Sequence, residues 1–289
     1  MDKKKKLYCL AAGALALAAL AFALLYRPGG GGEEAASASR RTQETVADQG
    51  YFTVKRLAGE AYYPDEKNWT YHFTYAYPAV EGDTYTAALI NDTYQMALGE
   101  TKDIALPMFA ASPDMQFDGH NEVEHDFSVL CNTERLLSIL QRQRQTRGER
   151  PPSLQLEAQT FNVSGDTAGD VMTLRGAALI LAGADPEKLE GITAADLPDF
   201  PGLVNGSSDE MEEALLPVLY AEFERLQAAG AVRADADRDD YEIDFIPSRD
   251  FYVSAEGKIV FFFPPSLLAE PSFDVPEFSF TPAEIEALL

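Results

Sequence analysis

The hydrophobic pattern changes character along the chain, and its first segment has no polar face at all. Leu7 to Tyr26 runs for twenty residues without a charge, directly behind the basic cluster Lys3 to Lys6. At ~1.5 Å per residue a helix of this length spans ~30 Å, the hydrocarbon thickness of a bilayer. The lysines place residues 1–6 in the cytoplasm as a short stub, and Tyr8 and Tyr26 fall near the two interfaces, where amphipathic rings are favoured. Residues 7–26 are therefore predicted to be a single transmembrane anchor. The alternative is a cleaved signal peptide, for which Ala36-Ser37-Ala38 offers an A-x-A site. Signal cores span only about 7–15 residues, however, and this site lies well beyond the apolar run, which favours retention. Cys9 opens the run instead of following it, so a lipoprotein cleavage site is not present.

Residues 27–49 show no apolar period. Pro28, Gly29 to Gly32 and the Ala, Ser, Glu and Thr that follow predict a flexible, extended linker. From about Tyr51 the pattern becomes that of a folded unit. Trp69 to Tyr77 alternates rings with threonine and reads as a strand ended by Pro78, with Trp69, Tyr71, Phe73, Tyr75 and Tyr77 on one face and His72 on the other. Thr84 to Glu100 carries Tyr85, Ala88, Leu89, Tyr94 and Met96 to Leu98 at helical spacing. His125 to Leu130 and Leu136 to Gln143 predict two strands joined by a turn at Asn132-Thr133. Ser153 to Val163 predicts another strand, with Leu154, Leu156, Ala158 and Phe161 inward. Gly165 to Gly169 reads as a turn, Val171 to Leu174 as a short strand, and Arg175 to Leu181 as a helix or loop.

The second half opens with helical signals. Asp185 caps Pro186, and Ser207 and Ser208 precede a long helix over Asp209 to Ala229, with Met211, Leu215, Val218, Leu219, Phe223 and Leu226 inward and Pro217 as a kink or break. Tyr241 to Ile246 reads as a strand. Asp250 to Ser254 and Lys258 to Phe263 form a hairpin around Glu256-Gly257, Phe278 to Phe280 is a last strand, and Thr281-Pro282 caps a terminal helix. Strands and helices cluster separately, so the expected class is α+β: antiparallel sheets with packed helices in one or two subdomains, the division falling between 50–165 and 166–289. No internal repeat is visible.

Charge narrows the partners. The 289 residues carry 23 Lys and Arg against 47 Asp and Glu, a formal net charge of −24. Such a surface repels nucleic acid phosphates and anionic lipid heads and attracts a basic protein, cationic peptides or divalent cations; solubility alone is the alternative use of this charge. Cys9 and Cys131 are the two cysteines. One lies in the anchor and the other about 120 residues later, so no disulfide framework is expected.

Little in the chain points to catalysis. Of the three histidines, His120 shares one side of an extended segment with Glu122 and Glu124, while His125 takes the other, and the spacing is not that of H-E-x-x-H. These are expected to be solvated strand residues. Asp235, Asp237 and Asp239 imitate the start of a calcium loop, but the glycine and glutamate it requires are replaced by Asp240 and Ile246, leaving an acidic turn. No nucleophile elbow, P-loop or dinucleotide fingerprint occurs. No catalytic residue, metal site or cofactor is therefore expected, and no ligand-binding residue can be named from spacing.

The C-terminal stretch carries a family pattern. Asp250-Phe251-Tyr252-Val253, a turn with Gly257, Ile259-Val260-Phe261-Phe262-Phe263-Pro264-Pro265 and Pro276-Glu277-Phe278-Ser279-Phe280 resemble the RsiV-like C-terminal domain. That domain stands outside the membrane in lysozyme-sensing anti-sigma factors of Gram-positive bacteria, and beside the catalytic module in PdaC-type peptidoglycan deacetylases. Leu137-Ser138-Ile139, Phe161-Asn162-Val163, Gly169 and Leu174 are similar to its earlier segments, and Tyr77-Pro78 and Asn91 to the domain that usually precedes it. The family's histidine-containing glycine turn is replaced here by Arg147-Gly148-Glu149-Arg150-Pro151, its tyrosine after the double proline by Ser266, and a later glycine by Asp274.

The resemblance implies an outer sensing or binding module without a sigma-binding segment or a deacetylase domain. The expected role is a membrane-anchored, extracytoplasmic, non-catalytic module of the cell envelope, binding a cell-wall component or a basic protein such as lysozyme. An envelope enzyme acting on peptidoglycan glycan and an accessory structural envelope protein are the alternatives.

Overall fold

A computed structural model describes the backbone of residues 42–47 and the whole of residues 50–111 and 119–289. The predicted anchor at 7–26 and most of the predicted linker lie outside the described residues. Among the described residues, no helix is long and apolar enough to cross a membrane.

The first half builds a six-stranded sheet. Its strands are β1 (Thr42–Ala47), β2 (Val54–Tyr63), β3 (Tyr71–Val80), β4 (Asn121–Asn132), β5 (Leu136–Arg147) and β6 (Ser153–Asn162), ordered as in the sequence. Four neighbouring pairs are antiparallel, whereas β3 and β4 are parallel, so the sheet is mixed and not purely antiparallel as expected. The parallel pair requires a crossover. It is supplied by α1 (Tyr85–Gly99), a π-helical stretch (Glu100–Ala105) and α2 (Leu106–Ala111). Thr84 caps α1, its hydroxyl accepting from the Ala87 N–H at 3.1 Å.

Two expectations change here. The linker stops before Gln49, because Thr42–Ala47 pairs with β2 as an edge strand that its polar sequence did not announce. The aromatic strand starts at Tyr71 and runs through Pro78 to Val80. Pro78 is tolerated because pairing with β4 ends at Tyr75 opposite His125, so no neighbour there requires the missing N–H.

The inner face of this sheet presents Tyr71, Phe73, Tyr75, Tyr77, Val123, Phe127, Ile139 and Phe161 to Ala87, Ile90, Tyr94 and Leu98 of α1. The second half forms a three-stranded antiparallel sheet of β7 (Phe251–Val253), β8 (Ile259–Phe262) and β9 (Glu277–Phe280). Alternation sends its side chains two ways. Phe251, Val253, Ile259, Phe261 and Phe263 enter a core with α3 (Leu174–Leu181), α4 (Pro201–Asn205) and α5 (Ser208–Ala228). Tyr252, Val260 and Phe262 instead meet Leu140, Leu156 and Ala158 of β5 and β6, closing a seam between the two sheets. At its edge the Val253 N–H donates to the Ser138 hydroxyl at 3.0 Å, and that hydroxyl also contacts Thr160.

Of the predicted inward set of the long helix, Met211, Leu215, Leu219 and Phe223 are fully buried and Leu226 packs partly buried against the same core, whereas Val218 is half-buried outside it, on the helix's flank. Pro217 lies on its exposed side, where the carbonyl left without an N–H partner meets water, and the helix is unbroken. Tyr241 to Ile246 is not a strand. Asp237 and Asp240 form a reciprocal capping box, so the segment becomes helix α6 (Arg238–Asp244), with Tyr241 and Phe245 one turn apart in the core. Val171 to Leu174 makes only a single bridge, Val171 to Phe161, before Thr173 caps α3. A terminal helix, α7 (Pro282–Glu286), is capped by Thr281 as its Thr-Pro start predicts. The molecule is thus a mixed α+β fold with largely antiparallel sheets. The second sheet covers β5 and β6, and among the described residues no element packs over the outer face of β2 to β4.

Candidate binding surface

Because β2 pairs β3 antiparallel and β3 pairs β4 in parallel, Tyr62 lies opposite His72, and His72 opposite Glu122. The outer face therefore carries Glu60, Tyr62, His72, Thr74, Glu122, Glu124 and Asp126, of which the last three are exposed. Four rings gather at one end. Tyr62 and His72 stack in parallel, with centroids 4.3 Å apart and planes at 5°. Trp69 leans against both, 6.3 Å from Tyr62 and 5.7 Å from His72, and packs 3.8 Å from the exposed His120. The Tyr62 hydroxyl donates to Glu60 at 3.2 Å; partial burial and then the Glu60 charge raise its pKa. His72 Nε2 sits 3.4 Å from the same carboxylate, at an angle that makes no hydrogen bond.

This arrangement corrects the assignment of Trp69 to the face of Phe73. The residue precedes β3, in the irregular segment after β2, and so escapes the strand's alternation. Joined to His72 instead, it makes an aromatic cluster outside the hydrophobic core, and only the strand register brings Tyr62 and His120 to it.

His125 is also not a solvated residue. It is 8% exposed on the inner face, stacked on Tyr77 at 4.0 Å, with Nδ1 3.1 Å from the Ala76 carbonyl. A carbonyl only accepts, so Nδ1 carries the proton. Burial lowers the pKa of the ring, opposed by that hydrogen bond. His120, Glu122 and Glu124 do face outward, but Glu124 approaches Arg144 at 3.9 Å. In the acidic turn, Asp237 is spent on capping, and Arg233 lies 3.8 Å from both Asp235 and Asp240. Among the described residues, no group of three or more His, Cys, Asp or Glu side chains is placed to hold a metal ion. Cys131 is free and buried, its thiol pKa raised by burial.

The two other notable carboxyls belong to one corner. Asp250 is 2% exposed, and burial raises its pKa against the opposing charge of Arg249, which donates to it at 2.7 Å. It also accepts from the Ile246 N–H at 2.8 Å, a bond that anchors the start of β7. Glu157 keeps solvent contact on the outermost strand, but crowding protein atoms raise its pKa while Arg249 lowers it. A groove of about 640 Å³ runs between α1 and Gly169–Val171, lined by Leu89, Met96, Asp92 and Asp170.

No family model matches the chain, and no curated protein matches it in sequence. The solved structures that resemble it include DUF3298 family proteins. One, from Pseudomonas aeruginosa PAO1, shares 12% identity over 80% of this chain and 91% of its own, with a TM-score of 0.40. Another, from Bacteroides fragilis, shares 11% over 82% and 92%, with a TM-score of 0.42. Likeness at that level carries no argument about activity, which must come from the surface itself.

Proposed function

We propose that the chain is a membrane-anchored module of the cell envelope, standing outside the cytoplasm and without catalytic activity. Its ligand is a cell-wall component or a basic protein such as lysozyme. The observation that carries this reading is the open face of β2 to β4, where Trp69, Tyr62, His72 and His120 cluster beside Glu60 and Glu122. Rings gathered half-buried outside a core, with only His120 fully exposed, mark a contact surface, since isolated solubility needs none of them. The net charge of −24 adds attraction for a basic partner. The uncharged run at residues 7–26 and the RsiV-like C-terminal pattern support the location.

The test is co-sedimentation of the full chain, purified in detergent, with wall sacculi, alongside capture on immobilised lysozyme. Lysozyme capture should be strong at ~20 mM salt and fall as the Debye length shortens toward ~8 Å at 0.15 M. Retention by neither sacculi nor lysozyme at low salt would end the proposal.

A further inference from the structure

Resting on that reading of the open face, we infer that Trp69 and its neighbouring rings form a stacking platform for a sugar ring. The ligand class is an oligosaccharide without acidic groups. Three features of the surface select this chemistry.

The first is shape. A cage for an ammonium group needs several ring faces turned toward one point. Here Tyr62 and His72 spend a face on each other, 4.3 Å apart and nearly parallel, while Trp69 lies across their edge and against His120. What remains is a half-buried, stepped aromatic surface, with Trp69 inclined at 63° to Tyr62 and 60° to His72, and the C–H face of a pyranose ring stacks on one such ring at a time. Aromatic rings offer large contact area with little loss of side-chain freedom.

The second is polarity at the rim. Sugar hydroxyls donate hydrogen bonds, and ionised carboxylates are their strongest acceptors. Glu60 lies on one side of His72, already gathering the Tyr62 hydroxyl, and Glu122 pairs with His72 on the other. His72 Nε2, without a hydrogen-bond partner, lies 3.4 Å from the Glu60 carboxylate.

The third is charge. Asp126 is paired by Arg56 and Glu124 by Arg144, which leaves Glu60 and Glu122 as the net acidic groups beside the rings, and the whole chain carries −24. A nucleic acid base would stack as well as a sugar, but its phosphates would be repelled, as would the acidic groups of polyanionic glycans.

Trp69 is the sole tryptophan of the chain, so its fluorescence reports this site alone. The full chain in detergent is titrated with chito-, cello- and malto-oligosaccharides, and with tetramethylammonium as the cation control. The expected result is a saturable emission change with at least one oligosaccharide series and none with tetramethylammonium. By calorimetry, Tyr62→Ala and Trp69→Ala should each weaken that binding by roughly tenfold, the scale of one lost aromatic contact. Trp69→Phe, which keeps a ring, should retain most of it, and circular dichroism should show all three variants folded. Saturable change with the cation alone would overturn the inference in favour of ammonium recognition. No response to any oligosaccharide, with sacculi or lysozyme still bound, would overturn the sugar platform and leave the envelope-binding reading standing. No binding of any kind would remove both.

Discussion

Phe262 and Phe263 are neighbours in sequence that hold different parts of the molecule together, and exchanging each for alanine should separate those parts. Phe262 is 1% exposed and packs in the seam between the sheets, against Leu140, Tyr252 and Val260. Phe263 is fully buried on the opposite side, with ring centroids 5.0 Å from Phe278, 5.1 Å from Phe245, 6.0 Å from Tyr241 and 6.1 Å from Phe223. Truncating a buried phenylalanine costs about 3–5 kcal/mol, the lost transfer energy plus the cavity left behind. Against a total stability of about 5–15 kcal/mol, either variant is seriously weakened. Among the described residues the seam cluster has four buried members, of which Phe262 is the most deeply placed, so Phe262→Ala should loosen the junction while leaving the helical core intact. Hydrogen exchange read by mass spectrometry distinguishes the two. Phe262→Ala should lose protection first in β5, β6 and β7, and Phe263→Ala first in α5 and α6. Identical exchange maps for the two variants, or a urea-measured loss below about 1 kcal/mol for Phe262→Ala, would refute the two-core account.

Three further outcomes follow from single contacts. His125 has a lowered folded pKa, so the unfolded chain binds more protons, and stability should fall as pH drops below about 6.5, the ordinary histidine value. His125→Gln should flatten that slope, measured as urea midpoints between neutral and mildly acidic buffer. The Glu286 carboxylate accepts from the Gly202 N–H at 2.6 Å and the Leu203 N–H at 2.7 Å, tying the terminal helix to α4. Glu286→Ala should therefore cost about 2–3 kcal/mol by chemical denaturation. Asp237→Ala removes the cap of α6 and should cost about 1 kcal/mol, with local exchange rising around Tyr241.

Much of the fold was legible because period and capping agreed. Thr84, Asp185, Ser207 and Thr281 each cap the helix predicted to follow, since a side-chain oxygen at that position satisfies an N–H the helix leaves unpaired. The alternating strands β5 and β6 and the hairpin at Gly257 were equally visible. What failed lacked a local signal. Thr42–Ala47 is a strand because β2 offers it an edge, not because its residues favour one. The α6 segment was misread because its seven residues are too few to show a helical period against the aliphatic and aromatic residues that also suit a strand. The aromatic cluster was hidden for a different reason. Tyr62 and His72 meet through the pairing of β2 with β3, the parallel pairing of β3 with β4 brings His120 to the same end, and Trp69 joins them from an irregular segment whose direction alternation does not predict.

Binding at an envelope surface presupposes that the folded unit lies beyond the bilayer, so the decisive measurement is topological. Protease is added to intact protoplasts producing the full chain, and membrane and soluble fractions are blotted for both ends. The account predicts a membrane-bound chain whose C-terminal domain is digested from outside while the cells stay sealed. Full-length chain recovered undigested in the soluble cytosolic fraction would contradict it.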